Sequence, residues 1–354
     1  MRFLLLMLAL AAIPRPVQAQ FRNRANLERL NRRLDGRLLD YTHNHGRDNR
    51  IVSLILGQPR DLYVYLPPGY DPRNAYPRIL YLHMGYVDEH AISGSNRIVE
   101  LDRMIRRGAF PPAVVAVPDG LYEGENRIRD PHSLFVNGCG GRFEDHLMNE
   151  VLPFVKRGFS IRPEREAHAI LGVSAGGFGA MALALKHRDM FGVVATLAAP
   201  LNVRYGTIDG RYREDFHPAT FRWNDRYDPN QVVGTFYLGL KRVRAGKYFD
   251  PVFGCLPDPL AGIIANNPAD LLSSTDLKPG ELAVYVNYAG RDNWNFDAQD
   301  QSFQWLAAQR GVAVTLECAP GARHNIPYFR SNHVRAYAWL SGHLPPPIVK
   351  APPP

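Results

Sequence analysis

The sequence predicts an α/β protein with a mostly parallel central sheet and helices on both faces. Short apolar segments typical of strands alternate with helix-like segments from residue 60 to residue 344. Strands joined in that way run parallel, and the connecting helices cover both faces of the sheet. The composition agrees, because 45% hydrophobic and 21% charged residues over 354 positions allow a large buried core.

Local patterns predict the elements in chain order. Four leucines, spaced by three and four residues, predict a basic helix over residues 20–40. The run Pro67-Pro68-Gly69 ends the first apolar strand. The predicted strands are Arg60–Leu66, Arg78–His83, Ala113–Pro118, Ala167–Val173, Val193–Leu197, Leu282–Ala289 and Val312–Cys318. The other predicted helices are Phe143–Val155, Ala180–Leu185, Gln299–Ala308 and Val334–Leu344.

The segment of about residues 200–270 departs from this alternation. It has weak periodicity and many aromatic residues, so it is predicted to be an insertion. Its aromatic side chains would form either the wall of a substrate cleft or a small core of their own. The tail, residues 345–354, is rich in proline and predicts a flexible polyproline-like end.

The N-terminus has the pattern of a secretory signal peptide. Arg2 precedes the apolar run Phe3–Ile13, and small residues at Val17 and Ala19 fit a cleavage site after Ala19. Eleven apolar residues are too few for a membrane-spanning helix, which needs about 20. We therefore expect a secreted or periplasmic protein with no integral membrane span in the mature chain.

Charge and cysteine content narrow the possible partners. The formal net charge is +8, partly from an arginine-rich segment over residues 20–58 that is typical of a solvated face. No basic patch interleaved with aromatic residues occurs, so a nucleic-acid partner is not predicted. Export permits a disulfide among Cys139, Cys255 and Cys318, but the sequence does not select the pair.

The stretch GVSAGG, Gly172–Gly177, lies where an apolar strand meets an apolar helix. A sharp strand-to-helix turn crowds its own backbone, so the positions two before and two after Ser174 must be small. This pattern predicts that Ser174 is exposed at the N-terminus of a helix. Short glycine patterns also occur in turns that have no catalytic role. Whether Ser174 is catalytic therefore depends on the presence of suitable partner residues.

A nucleophilic serine needs a histidine base and an acid that orients the histidine. Asp292 follows the predicted strand 282–289 by three positions, and Asp297 and Asp300 remain open as alternative acids. Asp297 would also serve as the N-cap of the next helix. His324 lies in a Pro-Gly loop after the last strand, whereas His333 and His343 are predicted to be surface groups.

An oxyanion hole needs two backbone N–H groups directed at the developing negative charge. Ala175 follows the serine at the helix N-terminus, where free amides are available. Tyr86 follows Gly85 in the loop after an early strand and is the second predicted donor. The pair His43 and His45 is half of a possible metal site, but the motif alone is too weak to predict a metal.

These motifs together resemble the esterase D-type branch of the α/β-hydrolases. That branch includes S-formylglutathione hydrolases, enterochelin esterases, feruloyl and acetylxylan esterases and mycolyltransferases. The matching stretches, between about residues 60 and 340, are YLPPGYDP, YPRILYLHMGYVDE, VVAVPDG, GRFEDHLMNEVLPFV, HAILGVSAGGFGAMALALKHRDMFGVV and AGRDNWNFDAQDQSF with APGARH. Carried over by position, the resemblance implies an esterase domain over 59–344, an α/β-hydrolase fold and the site residues Ser174, Asp292, His324, Tyr86 and Ala175.

Two positions depart from the family pattern. Many relatives have a histidine directly before the glycine of the oxyanion loop, but here Met84 stands there and His83 precedes it. Trp294 follows Asp292 where relatives often carry an acidic residue. The first departure affects loop packing, and the second leaves the choice among the three aspartates open.

The predicted function is an exported serine esterase that cleaves small-molecule or carbohydrate-linked carboxylic esters without a metal or organic cofactor. Acyl transfer to a sugar or lipid hydroxyl is one alternative, since it would use the same residues. A non-catalytic protein that binds carbohydrate or a surface on the same fold is another.

Overall fold

An eight-stranded sheet is the centre of this computed structural model, which describes residues 26–94, 96–122, 132–237 and 239–350. The sheet consists of β1 (Arg37–Tyr41), β4 (Leu62–Leu66), β5 (Arg78–Leu82), β6 (Val114–Pro118), β9 (His168–Val173), β10 (Val193–Leu197), β15 (Ala283–Ala289) and β16 (Val314–Ala319). Eight short strands form four two-stranded hairpins: β2 (Ile51–Ser53), β3 (Gln58–Arg60), β7 (Asn137–Gly138), β8 (Gly141–Arg142), β11 (Tyr205–Thr207), β12 (Phe221–Trp223), β13 (Val232–Phe236) and β14 (Lys241–Arg244).

Besides a helical segment at residues 26–31, the helices of the described residues mostly connect these strands. They are α1 (Ala91–Gly94), α2 (Arg97–Arg106), α3 (Phe143–His146), α4 (Leu152–Gly158), α5 (Ala175–Lys186), α6 (Gly246–Phe253), α7 (Pro259–Ile264), α8 (Pro268–Ser274), α9 (Phe296–Gln309) and α10 (Ile326–Ser341). A π-helical turn, Leu147–Val151, joins α3 to α4, so the predicted helix over this stretch is continuous. None of the described helices is long and apolar enough to cross a membrane.

The strand order is β1-β4-β6-β5-β9-β10-β15-β16, and the fold is the predicted mostly parallel α/β sheet. Only the pairs β1–β4 and β4–β6 are antiparallel; the pairs from β6 to β16 are parallel. The carboxyl ends of the parallel strands therefore meet at one edge of the sheet, and loops from different strands converge there.

Alternating side chains of the strands face two separate cores. In β5, Ile79 and Tyr81 join a core with α2 and α10, whereas Leu80 and Leu82 join one with α4, α5 and α9. All five residues of β5 are buried, as expected for a strand covered on both faces. The seven predicted strands are all present and agree with the observed bounds within two residues.

The predicted helix over residues 20–40 is wrong for its second half. Residues 26–31 are helical, but the chain then turns, and β1 pairs with β4 as the edge strand of the sheet. The carboxylate of Asp102 accepts hydrogen bonds from the N–H groups of Asp35 and Gly36 at 3.0 and 2.8 Å. These contacts from α2 fix the reversal, so tertiary contacts override the leucine spacing and the basic segment contributes to the sheet.

The C-terminal segment is docked rather than flexible as far as residue 350. Ile348 and Ala75 exchange backbone hydrogen bonds of 2.8 and 2.9 Å, and the Lys350 N–H donates to Asn74 Oδ1 at 3.1 Å. The prediction of a free polyproline-like end is therefore wrong for residues 345–350. Residues 351–354 and the predicted signal peptide, residues 1–19, lie outside the described residues.

A disulfide between Cys139 and Cys255 resolves the open pairing and leaves Cys318 as a free thiol. It joins the β7–β8 hairpin to the insertion, where the Cys139 N–H also donates to the carbonyl of Val252 at 2.8 Å. The bridge spans 116 residues of sequence, and closing a loop of that length is worth about 4 to 5 kcal/mol in the chain-entropy model. It therefore ties the insertion firmly to the sheet domain.

Candidate active site

The turn at Ser174 has the sharp geometry that the sequence predicts. Ser174 has a φ of +52° between β9 and α5, and its N–H donates to the carbonyl of Leu197 at 2.9 Å. A Cβ at Gly172 would overlap the carbonyl of Gly176, and a Cβ at Gly176 would overlap the carbonyls of Leu82 and His83. Both glycines are therefore required, and the serine side chain is left partly exposed at the helix N-terminus.

Ser174, His324 and Asp292 form one hydrogen-bonded chain. The Oγ of Ser174 lies 3.0 Å from Nε2 of His324, and Nδ1 of His324 lies 2.9 Å from Oδ2 of Asp292. The loops after β16 and β15 carry the histidine and the aspartate to the serine. Oδ1 of Asp292 accepts from the N–H of Trp294 at 2.7 Å, so both carboxylate oxygens are engaged and the acid is held in place.

Aromatic rings fix the orientation of His324. The rings of Phe329, Phe296 and Trp294 contact its imidazole edge-on, with centroid distances of 4.9, 5.4 and 6.2 Å. The side chain of His324 is 11% exposed and that of Asp292 is fully buried. The low polarity around this pair strengthens its electrostatic interaction.

The structure brings neither alternative aspartate into that chain. Both carboxyl oxygens of Asp300 and Oδ1 of Asp297 are buried without a hydrogen-bond partner among the described residues. Burial and the negative charge of Asp292 raise the pKa of Asp297 to about 6 and also raise the pKa of Asp300. Asn295, not Asp297, occupies the N-cap position of α9, since that helix begins at Phe296.

The buried carboxyl of Asp300 should make the free energy of unfolding fall as pH rises. We expect Asp300→Asn to remove this contribution. Because its folded-state pKa is raised, Asp300 is protonated in both states below about 3.8 and keeps its proton only in the folded state above it. As pH rises through this window, the free energy of unfolding falls by up to about 1.4 kcal/mol per pH unit. The gain in stability of Asp300→Asn over the parent protein should therefore grow with pH.

Thermal unfolding of both proteins at several pH values between weakly acidic and weakly alkaline conditions tests this expectation. Asp189→Asn is the matched control, since Asp189 is exposed to solvent in the folded chain. A gain for Asp300→Asn that stays constant or shrinks as pH rises would contradict the assignment of a buried, protonated carboxyl.

The two predicted oxyanion donors lie beside the serine. Tyr86, at a φ of +65°, and Ala175, the first residue of α5, both line the same pocket as Ser174. Within the described residues, neither backbone N–H donates a hydrogen bond to the protein. Two free amides at this position are suited to a developing oxyanion.

A buried polar cluster supports the loop that carries Tyr86, and sequence reasoning missed most of it. Nε2 of His83 accepts from the N–H of Gly120 at 2.9 Å, and its Nδ1 lies 2.9 Å from the carbonyl oxygen of Met84. Asp119 lies next to His83 and pairs with Arg60 at 2.5 Å. The polar end of the apolar strand VVAVPD, at Asp119, is the sequence signal that could have indicated this support.

Tyr86 also contacts the insertion, which the sequence did not indicate. The hydroxyl groups of Tyr86 and Tyr248 are hydrogen-bonded, and their rings meet edge-on with centroids 5.8 Å apart. Nζ of Lys247 lies 5.0 Å from the centroid of the Tyr86 ring. Tyr86 of the oxyanion loop therefore packs against α6 of the insertion.

An apolar cavity of about 370 Å³ contains the serine and the histidine. The insertion contributes four aromatic rings to its wall, Tyr212, Phe236, Tyr248 and Phe249, and the loop after β15 adds Trp294 and Phe296. No Asp, Glu, Lys or Arg is present among the described residues that line it. The insertion therefore forms a wall of the cavity, and a cluster of its rings also packs as a small core.

The remaining histidines have structural partners. Nδ1 of His43 pairs with Asp61 at 3.1 Å, whereas Nε2 of His45 lies 2.7 Å from the hydroxyl of Tyr63. His333, predicted at the surface, is 2% exposed, and its Nε2 lies 3.0 Å from the hydroxyl of Tyr81. That prediction is wrong because α10 begins at Ile326 and packs this face on the sheet; His343 is exposed, as predicted.

One group of possible metal ligands, Asp88, Glu89 and His90, occurs in the described residues. Burial lowers the pKa of His90, but the neighbouring carboxylates of Asp88 and Glu89 outweigh it and raise that pKa to about 10. Nδ1 of His90 lies 3.3 and 3.1 Å from their oxygens. These three side chains therefore pair with one another within the fold.

Comparison with known proteins places the chain among esterases. Residues 53–259 match the family model described as "Putative esterase". Esterase Rv1288 of Mycobacterium tuberculosis is 27% identical over 171 residues, which are 48% of this chain and 36% of that protein. An endo-1,4-beta-xylanase/feruloyl esterase of Xylanibacter ruminicola is 26% identical over 164 residues, 42% of this chain and 21% of that protein. The chain thus spans about a third or less of these curated relatives.

Solved structures share the fold over most of the chain. A ferulic acid esterase superposes with a TM-score of 0.64 at 16% identity, covering 87% of this chain and 98% of that one. An S-formylglutathione hydrolase from Agrobacterium tumefaciens superposes with a TM-score of 0.63 at 14% identity, covering 88% and 97%. At these identities the likeness establishes the α/β-hydrolase fold, as the sequence predicted.

Proposed function

Because the chain belongs to this esterase family, we propose that it is a serine esterase that hydrolyses carboxylic esters through an acyl-enzyme. The observation that carries the proposal is the hydrogen-bonded chain from Ser174 through His324 to Asp292 beside two free backbone N–H groups. Each of these groups has a separate role in acyl transfer.

In the first half of the reaction, Oγ of Ser174 attacks the ester carbonyl while Nε2 of His324 takes the hydroxyl proton. The negative charge that develops on the carbonyl oxygen is stabilised by the N–H groups of Tyr86 and Ala175. Asp292 holds the ring so that Nε2 can accept the proton, and it stabilises the imidazolium. The tetrahedral intermediate then expels the alcohol, which takes the proton from His324.

In the second half, water attacks the acyl-enzyme and gives its proton to His324. The tetrahedral intermediate collapses, Oγ of Ser174 regains a proton from the histidine, and the carboxylic acid leaves. No metal or organic cofactor is required for either half. An alcohol in place of water would complete an acyl transfer with the same groups.

The cavity supports a substrate whose acyl or aryl part is neutral and apolar. The described residues of its wall include aromatic rings but no Asp, Glu, Lys or Arg. A charged substrate group that enters would therefore lose its hydration without gaining a partner. The likeness to feruloyl esterases agrees with an aromatic ester, including one linked to carbohydrate. Export is part of the proposal, supported by the predicted signal peptide, cut after Ala19, and by the Cys139–Cys255 disulfide.

Trapping of the acyl-enzyme tests the proposal. The protein is mixed with p-nitrophenyl butyrate, quenched with acid and digested with trypsin, and the peptides are weighed by mass spectrometry. We expect one butyryl group on the peptide 166–186, in which Ser174 is the only hydroxyl or thiol residue. His324→Ala should slow this labelling by about a thousandfold, because the serine then lacks its base.

His343→Ala is the matched control, since His343 is exposed and lies outside the site, and it should label normally. Acylation of another peptide, or release of p-nitrophenol without an acyl-enzyme, would overturn the proposed mechanism. Adding a sugar or lipid alcohol to the reaction separates the two uses of the acyl-enzyme: hydrolysis yields butyric acid, and transfer yields the butyrate ester of the added alcohol.

A further inference from the structure

The tip of the β13–β14 hairpin exposes two large apolar side chains. Tyr237 is 76% exposed and Leu240 is 90% exposed, so both are largely in contact with water. Tyr237 and Gly239 have φ values of +52° and +92°, and the N–H of Gly239 donates to the carbonyl of Phe236 at 3.1 Å. Single exposed apolar residues are ordinary, but two at one hairpin tip form a small apolar surface.

Four cations follow this tip within a stretch that has no acidic residue. The segment 231–249 contains Lys241, Arg242, Arg244 and Lys247 and no Asp or Glu. All four side chains are exposed, and within the described part of the chain none forms an ion pair. Arg244 donates only to the neutral side chain of Asn230, and Lys247 lies over the ring of Tyr86. The apolar tip is therefore bordered by positive charge that no acidic side chain of the described residues neutralises.

The same hairpin forms part of the active-site wall. Val233 and Phe236 line the cavity, and β13 is bound to the loop of Asp292 through Asn293, whose backbone carbonyl and side-chain amide bond Thr235 at 3.0 Å each. Ile326, on another edge of the cavity, is 53% exposed. The β13–β14 hairpin therefore carries apolar side chains both inside the cavity and outside it.

We propose that the β13–β14 hairpin docks the protein on an anionic lipid surface, with Tyr237 and Leu240 in the interface and the four cations on the lipid headgroups. Apolar side chains that enter a lipid interface together with adjacent Lys and Arg residues are the pattern of interfacial binding. A hydrated acidic polymer would use the cations but not the apolar tip, so the combination favours lipid. Delivery of lipid-borne esters to the cavity rests on the proposed function; the docking itself does not.

Vesicle sedimentation tests the docking without any need for catalysis. The Ser174→Ala protein and the parent protein are mixed with vesicles of phosphatidylcholine, with or without phosphatidylglycerol, at low and high salt. We expect both proteins to sediment with the anionic vesicles at low salt and to be released by high salt, because headgroup attraction is screened. The paired variants Tyr237→Ser/Leu240→Ser and Lys241→Glu/Arg242→Glu should each weaken binding by about tenfold or more.

Leu54→Ser is the matched control, because Leu54 is 87% exposed but lies on the β2–β3 hairpin, and its binding should not change. Hydrolysis of soluble p-nitrophenyl acetate should be unchanged in the two hairpin variants and in Leu54→Ser, since none of the residues altered in these three variants lines the cavity. No sedimentation with anionic vesicles, or equal sedimentation of the hairpin variants, would overturn the proposal. Binding of heparin that depends on the cations and not on the apolar tip, without vesicle binding, would indicate an acidic polymer instead.

Discussion

Replacement of Ser174 by alanine is expected to lower kcat/KM for p-nitrophenyl butyrate by about a thousandfold or more. Oγ of Ser174 is the atom that forms the acyl bond, and it lies 3.0 Å from the base that activates it. The free N–H groups of Tyr86 and Ala175 and the cavity remain, so a small residual rate above the uncatalysed reaction is expected. Steady-state kinetics of the purified variant and the parent protein measure the loss.

Ser331→Ala is the matched control for this change. Ser331 lies on α10, seven residues after His324 in the sequence, and among the described residues its side chain bonds to Pro327, Tyr328 and Asn332 of the same helix. Its variant should keep the activity of the parent, and both variants should show the same cooperative unfolding as the parent. Activity that persists in Ser174→Ala would reject this serine as the nucleophile and favour a binding protein on the same fold.

Asp292→Asn is expected to lower kcat by about a thousandfold to ten-thousandfold with little change in KM. An amide at this position cannot stabilise the imidazolium, and its NH₂ group favours the tautomer of His324 that carries a proton on Nε2. Nε2 could then no longer accept the proton of Ser174. Because the cavity itself is unchanged, substrate binding should be nearly normal.

The same substitution at Asp297 and Asp300 provides two controls on the same stretch of chain. Neither side chain belongs to the hydrogen-bonded chain of Ser174, so Asp297→Asn and Asp300→Asn should keep kcat within a few-fold of the parent. A large loss in either variant together with an active Asp292→Asn would transfer the role of the acid to that residue. The three variants thus decide among the acids that the sequence left open.

Segments that are far apart in the sequence meet at the wall of the cavity. Tyr86 comes from the loop after β5, whereas Tyr248 and Phe236 come from the insertion. The Cys139–Cys255 bridge holds that insertion to the sheet domain. The position of the oxyanion loop therefore depends on segments that are far apart in sequence, which explains why no local motif indicated the contact.

Sequence alone determined the parts of the protein that depend on local chemistry. The glycines around Ser174 predict a turn that only small residues can form, and alternating apolar segments predict a parallel sheet covered on both faces. Chain order at the ends of the strands predicts Ser174 and His324 as nucleophile and base and leaves three aspartates as candidates for the acid. The predictions of the turn and of the sheet are confirmed, because turn geometry and strand burial depend on neighbouring residues.

Only the tertiary structure decided the features that depend on contacts between distant residues. The segment with leucines at helical spacing is partly a strand, because the Asp102 carboxylate fixes a turn at Gly36. His333 is buried because α10 packs on the sheet. Asp292 rather than Asp300 meets His324 because the loops after β15 and β16 converge at one edge of the sheet. In each case a contact with a residue elsewhere in the fold stabilises the observed conformation, and local sequence patterns do not indicate that contact.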